Sequence, residues 1–233
     1  MSEDFHSEED LKKEIAYYKK QLDQLSGQSV RYDLALTLLR HSLRQKNDAF
    51  AALSILQKKY VVGTPLHTMF EETVKVITTS LGMNRSVILV PASSPGIFKL
   101  NNWYGFPAGQ FNSVHTIEIT LPQNLLNSGQ YLLVNKKSVP GETEKKIQEV
   151  FSFIFFIGVP VIHDTIAVGY IITGRQTERA PFIPMLDKGD IDGLTAITSL
   201  VSTVLQNTKA VELQLQKTEI EKENVIILSL IHI

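Results

Sequence analysis

Residues Phe151 to Arg175 read FSFIFFIGVPVIHDTIAVGYIITGR and carry the strongest structural signal in the chain. An apolar run passes through Pro160, the polar triplet His163-Asp164-Thr165 interrupts it, and a second apolar run follows. Both runs are rich in Ile, Val and Phe, and each has the length of a core strand. The stretch therefore predicts a β-hairpin in a sheet that is covered on both faces.

The pair His163-Asp164 has the side chains of this hairpin that most resemble metal ligands or catalytic residues. Adjacent residues of a strand point to opposite faces, so the two side chains are poorly placed to chelate one metal ion together. We expect a solvated turn here.

Composition excludes several classes of function. The chain has 233 residues, of which 43% are hydrophobic and 20% charged, with a formal net charge of −1. No basic field indicates nucleic acid as a partner. The absence of Cys excludes thiolate zinc sites, cysteine nucleophiles and thioether-linked chromophores.

The longest apolar stretch, Val150 to Ile162, is too short to span a bilayer. The N-terminus is too acidic for a secretory signal. We therefore expect a cytoplasmic protein without a membrane span.

Residues 9–61 have the pattern of an N-terminal coiled-coil helix. Apolar residues recur at alternating steps of four and three, which is a heptad seam. The seam consists of Leu11, Ile15, Tyr18, Leu22, Leu25, Ser29, Tyr32, Leu36, Leu39, Leu43, Lys46, Phe50 and Leu53. Gly27 is a candidate hinge. An alternative is a single amphipathic helix that folds back on the domain.

The middle of the chain alternates helix and strand signals. Thr64 is expected to cap a helix that begins at Pro65 and that Gly82 closes. Strands are predicted at 86–90, 97–104, 114–121 and 131–134, with a helical turn at 123–127 and a polar turn region at 135–146. Asp187 or Asp190 is expected to cap the last helix. That helix continues with a second seam of Val204, Thr208, Val211, Leu215, Thr218, Lys222 and Val225.

This order of elements resembles a GAF domain over about residues 62–208. Gly158-Val159-Pro160-Val161 and Val168-Gly169-Tyr170-Ile171 occupy the places of the hairpin that is best preserved in that family. The resemblance implies a GAF-like, PAS-related α+β fold, with a central antiparallel sheet of five to six strands, helices on its faces and long coiled-coil helices at both ends. It also implies a small-molecule pocket over one face. The bilin-binding class needs a Cys and the cyclic-nucleotide signature is absent, so neither ligand is expected.

The domain organisation follows from these patterns. We predict a disordered start at 1–8, the coiled-coil helix at 9–61, the GAF domain at 62–208 and a signalling helix at 209–227. Residues 228–233 read LSLIHI, which a common transposon-end sequencing adapter encodes in frame, so we expect them to be an artefact of gene assembly.

Aromatic residues around three loop residues, Gly105, Pro107 and Gly109, are the best candidates for a ligand-binding wall. They are Trp103, Tyr104, Phe106 and Phe111, with Ile119 and Tyr131 as expected neighbours. Aromatic side chains on such a loop line pockets for planar or apolar ligands. They equally form a satellite core under the loop. No phosphate loop, Ser-His-Asp order or zinc spacing is present, so no catalytic or metal-binding residue is predicted, and the cofactor stays unidentified.

The function predicted from the sequence is a non-enzymatic GAF module in signal transduction. It senses a small molecule or serves dimerisation, and it pairs as a parallel homodimer through its coiled-coil helices. We expect it to pass a conformational signal to an output domain, a histidine kinase. The alternative is a GAF-fold block that binds no ligand. An enzyme such as a GAF-fold sulfoxide reductase is a remote third class, because that chemistry needs Cys.

Overall fold

A computed structural model describes residues 8–61, 63–111, 117–127, 129–175 and 185–231. They form four helices, six strands and one 3₁₀ turn. These are α1 (Glu8–Lys59), α2 (Leu66–Ser80), β1 (Arg85–Pro91), β2 (Ile97–Tyr104), β3 (Glu118–Thr120), the 3₁₀ turn (Gln123–Leu126), β4 (Leu132–Val134), α3 (Glu142–Phe151), β5 (Phe155–His163), β6 (Ile166–Arg175) and α4 (Lys188–Ile231). The chain divides into two compact units, Met1–Arg44 and Gln45–Ile233.

The second unit contains one six-stranded antiparallel sheet. Its strand order is β3-β2-β1-β6-β5-β4. The predicted hairpin is confirmed: β5 and β6 pair from Phe155↔Arg175 to His163↔Ile166. Asp164 and Thr165 form its two-residue turn with φ of 47° and 69°. Two successive positive φ values match the twist of a hairpin, although a β-branched residue such as Thr165 adopts them at a cost.

Each face of the sheet packs against its own apolar cluster, as the doubly buried hairpin predicts. On one face, the helical cluster unites sheet residues with α2, α4 and the end of α1, including Leu56, Phe70, Ile77, Ile88, Val159, Ile171, Leu194 and Ile197. On the other face, the aromatic cluster includes Val87, Phe98, Phe111, Ile119, Phe151, Phe153, Phe156, Tyr170 and Ile172.

The start of the hairpin was predicted wrongly. Phe151 does not begin a strand but ends α3, and β5 begins at Phe155. Residues 142–146, read as part of a polar turn region, are the first half of this helix. Only Ile147 and Phe151 of α3 are buried, four residues apart, and charged residues occupy most of its other positions, so the helix is amphipathic.

Two other helix-end predictions fare differently. Thr64 does not cap α2: its hydroxyl donates to the Val61 carbonyl at 2.6 Å, and Pro65 stands at the N-cap position. Gly82 does follow the helix with a φ of +63°, as a closing glycine should. Gly27 does not break α1, which is helical throughout.

Some predictions lie partly or wholly outside the described residues. The strand expected at 114–121 is seen as β3, Glu118–Thr120, and residues 112–116 are outside the description. The same holds for the start at 1–7, for residues 232–233 of the expected artefact, and for the side chains of Leu215, Lys222 and Val225 in the second seam. In the described part of the chain, no helix is both long and apolar enough to cross a membrane.

The first unit exposes the predicted seam. Nine apolar seam residues of α1 are each at least 47% exposed: Leu11, Ile15, Tyr18, Leu22, Leu25, Tyr32, Leu36, Leu39 and Leu43. Val30, Leu34 and Leu38 are exposed as well, but at heptad positions on the opposite side of the helix.

Candidate functional site

The predicted aromatic loop is packed into the aromatic cluster. Phe111, which is 7% exposed, lies edge-to-face against Trp103 at 5.5 Å and against Phe106 at 4.9 Å between ring centroids. It also contacts Phe151 at 6.1 Å. Such edge-to-face pairs stabilise aromatic cores beyond the area that they bury. Three of the six predicted site residues, Trp103, Phe106 and Phe111, therefore interlock with one another.

The sequence reasoning missed two members of this arrangement. Phe153 lies 6.2 Å from Phe106 and 6.0 Å from Phe151, between ring centroids. The sequence pattern places both Phe151 and Phe153 in the hairpin, away from the loop. The spacing of Ile147 and Phe151, one turn of a helix apart, is the signal that would have found them.

Arg85 and Gly105 hold the loop against the sheet. The Arg85 guanidinium lies 4.9 Å from the Phe106 ring centroid and donates a hydrogen bond to the Phe151 carbonyl at 3.2 Å. Gly105 has a φ of +85°, and a Cβ there would lie 2.1 Å from the Asn84 carbonyl oxygen. Only glycine allows this approach.

The other three predicted residues are placed differently from one another. Ile119 is fully buried in the aromatic cluster, on β3. Tyr104 is 39% exposed at the end of β2. Tyr131 is 49% exposed and lines a different cavity of about 460 Å³, together with Pro160 and residues of α4 such as Thr195 and Ser199.

Tyr170 places a polar atom inside the aromatic cluster. The residue is fully buried, and its hydroxyl makes no hydrogen bond of regular geometry with the described residues. Burial raises the pKa of this hydroxyl far above its ordinary value, and the nearby backbone of Leu132 opposes the rise. A hydroxyl buried in an apolar cluster costs free energy unless it is hydrogen-bonded, and the Leu132 backbone lies close enough to offset part of that cost.

The hairpin turn is less solvated than predicted. Asp164 is exposed, but the side chain of His163 is only 12% exposed, and its Nε2 lies 3.3 Å from a carboxylate oxygen of Asp164. The His163 Nδ1 is buried without a hydrogen-bond partner in the described part of the chain. Within that same part, no three residues of the metal-ligating types come together.

A polar network fixes the start of α4. Asp187 accepts hydrogen bonds from the backbone N–H groups of Gly189 and Asp190 at 2.8 and 3.3 Å, and Asp190 accepts one from the Asp187 N–H at 3.1 Å. This reciprocal arrangement is a capping box. Both predicted capping residues are therefore used. The Gln45 amide also donates to Asp187 at 2.9 Å, which ties α1 to the same point.

A buried ion pair lies beneath this cap. The Arg175 guanidinium contacts both carboxylate oxygens of Asp190, at 2.8 and 3.4 Å, and donates to the Gly82 carbonyl. Burial raises the pKa of Asp190, while the charge of Arg175 opposes that shift. The network thus links α1, α2, β6 and α4 at one place.

Comparison with solved structures identifies this architecture. A GAF domain from a phosphoenolpyruvate-protein phosphotransferase of Coxiella burnetii superposes with a TM-score of 0.52 at 11% identity, covering 71% of this chain and 96% of that one. The chain has a GAF fold. This GAF fold also superposes on the phycocyanobilin-bound GAF domain of a cyanobacterial phytochrome, with a TM-score of 0.51 at 8% identity over 69% of this chain and 94% of that one. Residues 122 to 287 of a methyl-accepting chemotaxis protein match with a TM-score of 0.53 at 14% identity, over 69% and 98% of the two chains. The sequence itself matches no protein-family model and no curated protein.

Proposed function

We propose that this chain is a regulatory GAF module of a signalling protein, and that it works as a parallel homodimer paired along α1. The observation that carries the proposal is the seam of nine exposed apolar residues on α1, from Leu11 to Leu43. An apolar heptad seam of this length is stable in water only when another helix covers it. The solved GAF domains of similar fold come from signalling and regulatory proteins, which supports the regulatory role.

The helices supply a route for a signal. Two residues near the end of α1 that are not seam members, Ala52 and Leu56, are fully buried in the helical cluster, together with Leu194 and Ile197 of α4. The end of α1 therefore packs in the same cluster as the first turns of α4 within the second unit, and this cluster is the route that we propose. Coupling of this kind requires two arrangements of the paired helices. The free-energy difference between these arrangements must change when the module changes state.

Light scattering tests the dimer. The full chain should elute with the mass of a dimer, and Leu39→Asp with Leu43→Asp should give monomers, because charges at facing seam positions are buried and repel. The matched control is Leu34→Asp with Leu38→Asp, two equally exposed leucines on the opposite side of α1. The control should stay dimeric. Equal behaviour of the two double variants, or a wild-type monomer at micromolar concentration, contradicts the proposal.

Disulfide trapping tests the parallel orientation. The chain contains no Cys, so a single introduced Cys reports one contact. Ile15→Cys, far from the middle of the seam, should form an intermolecular disulfide under mild oxidation, because a parallel dimer places each seam residue beside its own copy. Tyr17→Cys, off the seam, should not. An antiparallel dimer separates the two Ile15 positions and gives no disulfide.

Packing at the aromatic loop favours the dimerisation role over a sensing role there. Phe106 and Phe111 interlock with Trp103 and with α3, so a ligand at this loop must first separate rings that are already in contact. The second candidate is small-molecule sensing, and the buried Tyr170 hydroxyl is the polar group of the same cluster that a ligand would meet. Native mass spectrometry of the freshly purified protein distinguishes the two, since a sensor that retains its ligand shows a defined added mass.

We place the module in the cytoplasm, which the absence of Cys supports, and we propose a histidine kinase as the output domain beyond α4. The parent gene beyond residue 227 tests this assignment. A kinase-encoding extension is the expected result, and a different effector or an immediate stop codon overturns it.

A further inference from the structure

A second cavity of about 410 Å³ opens on the helical side of the sheet, away from the aromatic cluster. Its walls come from the start of α2, the turn end of the β5–β6 hairpin and the part of α4 around residue 208. The lining residues are Gly63, Thr64, Pro65, Leu66, Met69, His163, Val168, Leu205, Thr208 and Lys209. Its volume lies within the usual range for small-molecule sites.

The walls of this cavity are mainly apolar and well supported. Met69 is 1% exposed, and Val168 and Leu205 pack against the helical cluster. The Ser202 hydroxyl, one turn before Leu205, donates to the Ile162 carbonyl and so joins α4 to the hairpin. A site built on packed strands and helices holds its shape better than a loop does.

The polar part of the lining consists of Thr64, His163, Thr208 and Lys209, and Lys209 supplies its positive charge. Lys209 makes no ion pair with any described residue, and no carboxylate lines the cavity. His163 adds an imidazole whose buried Nδ1 has no partner in the described part of the chain, while its Nε2 faces Asp164. The α2 helix also begins at this wall, with no side chain capping it, and its positive end adds to the field of Lys209.

We propose that this cavity binds a small organic anion with an apolar tail, of the class of medium-chain carboxylates. The tail lies against Leu66, Val168 and Leu205, and the carboxylate pairs with Lys209. The site is separate from the aromatic cluster, and its binding does not depend on the dimer. Leu205, Thr208 and Lys209 lie within about one turn of α4, and His163 lies at the turn of the β5–β6 hairpin. A bound ligand contacts both elements and therefore holds this turn of α4 against the hairpin. Ligand binding therefore influences the position of α4 in addition to the proposed pairing of α1.

Titration calorimetry of the full chain with sodium octanoate tests the proposal. Affinity should rise about fourfold per added methylene from butanoate to octanoate, as the tail fills the apolar wall. Octylamine, with the same tail and the opposite charge, should bind at least tenfold more weakly than octanoate. Equal binding of the acid and the amine overturns the proposal, since it shows an unspecific apolar surface.

Two variants locate the site. Lys209→Gln should weaken octanoate at least fivefold, whereas Lys217→Gln, on the same helix but outside the lining, should leave it unchanged. Leu66→Trp should abolish binding by filling the cavity, and the fold should tolerate it because Leu66 is 47% exposed. Circular dichroism checks that each variant is folded. Octanoate binding that persists in both Lys209→Gln and Leu66→Trp places the ligand elsewhere and overturns the assignment.

Discussion

At the scale of single residues, Gly158 and Tyr170 show how tightly the hairpin is fitted. They lie diagonally across β5 and β6, and a Cβ on Gly158 would lie 2.6 Å from Cε1 of Tyr170. The large ring is accommodated only because its neighbour has no side chain. This contact explains why an apolar run of bulky residues contains a glycine at that position.

Gly158→Ala is therefore expected to lower the free energy of unfolding by about 1–3 kcal/mol, since the ring has to move within a packed core. Urea denaturation followed by fluorescence measures the loss. Gly27→Ala is the control: no atom lies within 4 Å of the added Cβ, and alanine favours the helix, so stability should stay equal or rise. An unchanged midpoint for Gly158→Ala would show that the ring relaxes freely.

The ion pair between Arg175 and Asp190 gives a second prediction at this scale. Their side chains are 9% and 4% exposed, so removing one partner leaves a buried charge. Arg175→Met should cost about 3–5 kcal/mol of unfolding free energy. Adding Asp190→Asn to that variant should recover part of the loss, because the isolated carboxylate is gone. A double variant less stable than Arg175→Met alone would mean that Asp190 matters mainly for the helix cap.

At the scale of elements, α4 begins where the capping box satisfies its first N–H groups. Asp187 supplies the cap, and Gln45 of α1 holds the same carboxylate. The start of α4 is thus set by contacts from a residue 142 positions earlier in the chain as well as by its own turn.

Asp187→Ala should destabilise the protein by about 0.5–2 kcal/mol, the usual cost of losing a cap. Asp192→Ala, an exposed carboxylate in the next turn, should change the free energy of unfolding by no more than about 0.5 kcal/mol. Thermal melts of the two variants beside the wild type make the comparison. Equal losses would indicate a general effect of negative charge near the N-terminus of the helix, with no specific role for the cap.

At the scale of the whole molecule, the two units differ in what stabilises them. The first unit is a helix segment with an exposed seam, and the second has two apolar clusters around a sheet. If the seam pairs two chains, the melting temperature of the first unit should depend on protein concentration. The melting temperature of the GAF core in the second unit should not.

Trp103, the single tryptophan, reports the second unit through its contact with Phe111. We expect a melting transition that depends on protein concentration in the helical circular dichroism signal. The transition in Trp103 fluorescence should not depend on protein concentration. Leu39→Asp with Leu43→Asp should lower the first transition and leave the second within about 2 °C. A fluorescence transition that shifts with the seam variants would mean that the units unfold as one.

Much of this architecture follows from local sequence patterns. The hairpin, β1, β2 and the caps of α4 are predictable, because apolar runs of strand length and Asp at a helix start act through near neighbours. The amphipathic helix α3 is not predicted, because its charged first half resembles a polar turn region and its apolar end, Val150 and Phe151, runs almost directly into the apolar residues of β5.

The sequence by itself determined that the chain has long helices at both ends and a doubly covered sheet between them in the sequence. Residue types and their spacing are enough for that. Only the tertiary structure decided that Phe151 and Phe153 close over the aromatic loop, that Tyr131 lies at another cavity, and that Lys209 and His163 line the same pocket. These side chains are far apart in sequence, and only packing of the sheet against its helices brings them within reach.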